Sequence, residues 1–97
     1  MTLDTALTRL DATRDQAIER LFQILRIPSI STDPAYSASC REAAEWLAGD
    51  LASMGFESSV RNTPGQPMVV AHHHGAGPSA PHILFYGHYD VQPADPL

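Results

Sequence analysis

The stretch His82-Ile-Leu-Phe-Tyr-Gly-His-Tyr-Asp-Val-Gln-Pro93 decides the reading of this chain. Ile83 to Tyr86 is an apolar run without polar alternation, the pattern of a strand covered on both faces, and it predicts an inner strand of an α/β sheet. At Gly87 the run gives way to His88, Tyr89 and Asp90. A glycine there removes a side chain where the backbone leaves the sheet. Ligands of open α/β sheets bind beyond the carboxyl ends of the strands, so polar groups at this point are placed for chemistry. Residues two apart in extended chain point the same way, with alpha carbons roughly 6–7 Å apart. His88 and Asp90 therefore read as an imidazole with a carboxylate beside it.

That pair has two readings. A neutral imidazole binds a metal through one nitrogen while a nearby carboxylate fixes its tautomer and raises its basicity. The bland alternative is a structural pair that is hydrogen-bonded and chemically idle. Ionisable groups at the end of a doubly buried strand are costly unless paired or employed, which moves the balance toward the metal ligand.

Working outward, the 97 residues amount to one small globular domain, 43% hydrophobic and 18% charged. The formal net charge is −5, and all six basic residues are arginines scattered between positions 9 and 61, so no basic face for nucleic acid is present. A single cysteine, Cys40, forms no internal disulfide and reads as a packed small hydrophobe. The start Met-Thr-Leu-Asp-Thr-Ala lacks the features of a signal peptide, and no apolar run approaches the roughly 18 residues needed to span a bilayer. A cytoplasmic protein without membrane partners is the expectation.

Leu3, Leu7, Leu10, Ala17, Leu21 and Leu25 recur at helical spacing, widened by Ile18, Phe22 and Ile24. They predict one long amphipathic helix packed on a core, capped by Thr2 and stopped before Pro28. Ser39-Cys-Arg-Glu42 has the form of a capping box for a second helix with Cys40, Ala43, Ala44, Leu47, Leu51 and Met54 on its apolar face and Gly55 at its end. Trp46 lies on the flank of that face. Between the helices, residues 27–36 form a turn-rich connector whose serines read as solvated loop.

Phe56 to Asn62 and Met68 to His74 predict two strands joined by the turn sequence Thr63-Pro-Gly-Gln-Pro67, with Phe56, Ser58 and Val60 on one face. His72-His-His74 invites a metal reading. On a strand, however, only His72 and His74 face the same way, and the sequence shows no third ligand, so an exposed strand end is the default. Gly75 to Pro81 is a Gly/Pro/Ala-rich loop leading back to the opening stretch.

Phe85-Tyr-Gly-His-Tyr-Asp-Val-Gln-Pro-Ala-Asp-Pro-Leu97 resembles the first metal-binding motif of the zinc-dependent metallopeptidases that include carnosinase-like dipeptidases, aminoacylase, acetylornithine deacetylase and succinyl-diaminopimelate desuccinylase. The Gln-Pro-x-Asp-Pro continuation is most similar to the dipeptidase branch, and Leu25-Arg-Ile-Pro-Ser-Ile-Ser31 carries a looser likeness. The resemblance implies that His88 binds one of two zinc ions and that Asp90 is an active-site residue holding the imidazole. It implies hydrolysis of a peptide or amide bond in a dipeptide or N-acyl amino acid, and a homodimeric intact enzyme. Cobalt or manganese also suits such ligands.

The fold expected on that basis is α/β: the amino-terminal part of a three-layer α/β/α catalytic domain, with two helices and then about three strands of a mixed sheet. A catalytic zinc needs about three protein ligands, and His88 is the one strong ligand visible. Residues 1–97 are thus expected to be the amino-terminal portion of a larger peptidase domain, inactive in isolation. The other reading is a non-catalytic interaction module with an inert His–Asp pair.

Overall fold

The computed structural model of the chain describes residues 2–95. Met1 and the last two residues of the motif, Pro96 and Leu97, lie outside them. Three α-helices, a short 3-10 turn and a two-stranded hairpin follow one another in sequence.

The first amphipathic stretch forms α1 (Leu3–Ala12) and α2 (Arg14–Leu25), where the sequence predicts one helix. Thr2 caps α1 as expected, its hydroxyl accepting from the Thr5 N–H at 3.2 Å. The division falls at Thr13. Its hydroxyl donates to the Arg9 carbonyl at 2.8 Å, alongside the 3.0 Å bond from its own N–H to the same oxygen. A hydroxyl bonded back onto the preceding turn competes for the helical acceptor and bends the ladder, an effect no apolar periodicity reveals. The helix resumes at once, with the Ala17 N–H donating to the Thr13 carbonyl at 3.0 Å. The chain leaves α2 at Arg26, two residues before Pro28.

The apolar stripe of α1 and α2 does not pack into a core among the described residues. Neither helix contains a buried residue, and Leu3 is 73% exposed. A bidentate ion pair holds α2 against the next helix, with the Arg20 guanidinium donating to both Asp50 carboxylate oxygens at 3.0 and 2.7 Å.

That helix, α3 (Ser37–Ser53), begins two residues before the expected capping box. The sequence Asp33-Pro-Ala-Tyr36 explains the shift. Asp33 accepts from the Ala35 N–H at 2.9 Å and starts a 3-10 turn, Pro34–Tyr36, that runs straight into the helix. Ser39 is therefore already helical. Cys40, Ala43 and Ala44 are buried, Leu47 and Leu51 half-buried, and Met54 exposed, so the expected face is the covered one along most of its length. Gly55 ends the helix with φ +93°, a conformation that needs no side chain.

The hairpin matches the sequence reading closely. β1 (Glu57–Arg61) pairs antiparallel with β2 (Met68–His72), Glu57 opposite His72 and Arg61 opposite Met68. Thr63 builds the turn, accepting from the Gly65 N–H at 3.0 Å and donating to the Gln66 carbonyl at 2.7 Å. Helix α3 packs on both strands. The hydroxyl of Ser58 is buried, which marks the face carrying Phe56, Ser58 and Val60 as the covered one.

The buried central strand expected over Ile83–Tyr86 is not formed. These residues carry no regular secondary structure and pair with no strand, and Leu84 and Phe85 are 92% and 91% exposed. A continuous apolar run becomes an inner strand only when neighbours pair with both edges and layers cover both faces. Among the described residues the sheet has two strands, so the third strand of the expected fold is missing and the three layers are not assembled. The radius of gyration, 16.0 Å, exceeds the roughly 12.5 Å of a compact domain of this length, consistent with apolar faces left open.

Two outcomes test this packing. Burial pushes the Cys40 thiol up, with the negative charge of Asp90 adding to the effect, so alkylation of Cys40 should be much slower in the folded chain than in denaturant. Equal rates would contradict its burial. Gly55→Ala should destabilise by about 1–2 kcal/mol in a denaturant titration, because any Cβ at a left-handed position is strained.

Candidate metal centre

Two seryl residues of the connector between α2 and α3 bring the opening motif onto the body of the protein. Ser29, itself buried, accepts from the Val91 N–H through its carbonyl at 3.0 Å and donates its hydroxyl to the Tyr89 carbonyl at 2.8 Å. Ile30 and Val91 thereby form an isolated parallel bridge. A third tie comes from Tyr89, whose phenol donates to the Pro67 carbonyl at 2.5 Å, where the hairpin turn enters β2. Burial raises the Tyr89 pKa, with the charges of Cys40 and Asp90 acting in the same sense, so the phenol stays a donor.

Because Tyr89 turns inward, the residues on either side of it point the other way, and His88 and Asp90 meet. The His88 Nδ1 lies 2.7 Å from Asp90 Oδ1. The Ser31 hydroxyl donates to the second carboxylate oxygen, Oδ2, at 2.7 Å. Ser31 is itself held, its carbonyl accepting from the Gln66 amide at 3.3 Å. These contacts hold Asp90 below the usual carboxylate range, the Ser31 hydrogen bond most and the His88 one next.

An ionised carboxylate only accepts hydrogen bonds. Nδ1 must therefore carry the proton, and the lone pair of a neutral His88 resides on Nε2. The imidazole side chain is 74% exposed, so that nitrogen is accessible. The donor chemistry fits one position of a metal site: a neutral imidazole nitrogen with its tautomer fixed from behind by a carboxylate. It fits one position only. In the observed side-chain arrangement no three His, Cys, Asp or Glu groups among the described residues are set to hold an ion, and zinc takes about three protein ligands.

The structure thus places His88 and Asp90 side by side, as their two-residue spacing predicts. Sequence reasoning missed Ser29 and Ser31, which it assigned to solvated loop. The available signal was the Ile-Pro-Ser-Ile-Ser31 segment, where apolar residues alternate with serines as in a half-buried strand edge. Their partners lie about 60 residues away, as the Ser29 to Tyr89 and Ser31 to Asp90 bonds show.

No protein-family model matches the chain, and no solved structure matches it. It is similar to the Cys-Gly metallodipeptidase DUG1 of Saccharomyces cerevisiae, 29% identical over 95% of this chain and 22% of the relative. The Schizosaccharomyces pombe protein of the same description is 30% identical over 97% of the chain and 22% of the relative. That of Candida albicans is 36% identical over 79% of the chain and 18% of the relative. The chain therefore spans about a fifth of the length of the curated relatives it matches. No helix among the described residues is long and apolar enough to cross a membrane. The homologues of this chain are metallodipeptidases, and over their amino-terminal segment it belongs to that metallopeptidase family.

Proposed function

We propose that this chain is the amino-terminal portion of a catalytic domain that hydrolyses the peptide or amide bond of a dipeptide or N-acyl amino acid with a bound metal, zinc by preference. The observation that carries the reading is the 2.7 Å contact between His88 Nδ1 and Asp90, backed by Ser31. The homologues are named for the dipeptide Cys-Gly, which supports the dipeptide class. Two residues are assigned roles. His88 is a metal ligand through Nε2. Asp90 is an active-site carboxylate that holds the imidazole in that tautomer and raises its basicity.

A divalent metal ion supplies Lewis acidity toward the scissile carbonyl and a nucleophile at neutral pH. What this chain contributes is position and proton placement. Asp90 keeps the proton of His88 on Nδ1, and Ser31 keeps Asp90 ionised and aimed at the ring. Ser29 and Tyr89 fix the backbone from which both side chains project. The remaining ligands and the general base come from outside the described residues.

The test uses the longer protein containing this segment, loaded with zinc and assayed on Cys-Gly. His88→Ala should lose metal and activity together. Asp90→Ala should reduce metal affinity or turnover by about 10- to 100-fold, the usual cost of removing the partner of a ligating histidine. Ser31→Ala should move the same quantities in the same direction by less. Unchanged metal content and full turnover in His88→Ala would contradict the assignment, and absence of any hydrolysis by the loaded parent would leave an inert His–Asp pair.

A further inference from the structure

The end of the hairpin gathers three histidines that the proposed function does not use. His72 closes β2, and the chain runs on through His74 before the loop at 75–81 turns it back. Gly77, with φ +90°, makes that reversal, its N–H donating to the His74 carbonyl at 3.1 Å. The loop returns His82 to the place it left. The rings of His72 and His74 stack with centroids 5.8 Å apart, and the His82 ring stands edge-on to His74 at 6.0 Å. His73 points to the opposite face, against the ring of Phe56 at 5.1 Å, and takes no part.

A fourth group joins them by register. Glu57 sits directly opposite His72 across the hairpin, and directly opposed residues share a face with Cβ atoms roughly 4.5–5.5 Å apart. One face at one end of the hairpin therefore carries three imidazoles and a carboxylate, all four residues exposed. Three imidazoles bound to one tetrahedral ion through nitrogens at about 2.0–2.1 Å hold their ring centroids roughly 5 Å apart. The His72–His74 and His74–His82 spacings are within about an ångström of that, and His74 is the ring that joins the other two. The rings lie stacked and edge-on, and no three of these groups surround a common point in this arrangement. Exposed side chains change rotamer in picoseconds to nanoseconds, so rotation about the side-chain bonds is the step that separates this arrangement from a closed one.

We propose that His72, His74 and His82, completed by Glu57, bind a divalent transition-metal ion of the zinc class at the open end of the hairpin, away from the Thr63–Pro67 turn. Three neutral imidazoles and one carboxylate form the donor set that four-coordinate zinc accepts. Ligands drawn from β1, β2 and the far side of the 75–81 loop make the ion a clip across that loop, tying the entry of the 82–91 segment to the hairpin.

The experiment is titration of the His88→Ala chain with Zn2+ alone, followed by calorimetry and by the imidazole nitrogen shifts of each histidine. One equivalent should bind, moving the signals of His72, His74 and His82 and leaving His73 in place. His82→Ala should weaken binding by at least about tenfold, taking the lower figure for loss of a ligand's partner as the floor. Glu57→Gln should weaken it less, and His73→Ala should leave it unchanged. All these side chains are exposed, and the circular dichroism of each variant checks that the fold is retained. Absence of Zn2+ binding, binding that survives His82→Ala at full strength, or shifts confined to two histidines would overturn the proposal. Since His88 is absent throughout, none of these results bears on the assignment of the motif histidine.

Discussion

The arrangement of this chain depends on one short length of backbone pairing, the bridge between Ile30 and Val91. The Val91 N–H bonds the Ser29 carbonyl, and the Ser29 hydroxyl bonds the Tyr89 carbonyl, so one buried serine accepts from and donates to the same segment. Nothing else in the run from Ile83 to Gly87 is paired among the described residues. If this contact were absent, the motif would be a loose continuation of the hairpin loop. With it, the backbone on both sides of Tyr89 is fixed, and the side chains of His88 and Asp90 are brought to one place by the alternation of extended chain.

From that constraint follows a short chain of hydrogen bonds, from Ser31 to Asp90 to His88. Its members are half-buried or exposed, and interactions of exposed charged groups add little to stability. Their consequence is chemical. Each bond restricts the next group to one protonation state and one direction. The serine hydroxyl favours the ionised carboxylate, and the carboxylate favours the proton on Nδ1, which leaves Nε2 as the nitrogen that can bind a metal. The Gln66 amide on the Ser31 carbonyl links this sequence to the hairpin turn, so the connector, the turn and the motif form one unit.

Local features were legible in the sequence because their causes are local. Thr2 at the first helix start, Gly55 at the third helix end, the Thr63–Pro67 turn and the shared face of His88 and Asp90 each rest on a few neighbouring residues. The misreadings have non-local or competing causes. The capping box at Ser39 lost to Asp33 and Pro34, which start helical structure earlier. The long first helix is interrupted at Thr13, whose hydroxyl shares the Arg9 carbonyl with its own N–H. The apolar run at Ile83–Tyr86 reads as an inner strand, yet the layers that would make it one are not supplied by the described residues. Ser31 and His82 escaped notice for a related reason: their partners are set by where the chain returns, not by spacing.

Asp90, aimed by Ser31, fixes His88 with its proton on Nδ1 and its lone pair on Nε2. The most direct test is the nitrogen chemical shifts of His88 in mildly alkaline solution, where an ordinary imidazole is neutral. A protonated Nδ1 with an unprotonated Nε2, changing toward a mixture of tautomers in Asp90→Asn, is the result expected. A proton on Nε2, or an equal mixture in the unaltered chain, would contradict it and leave the motif without a prepared ligand.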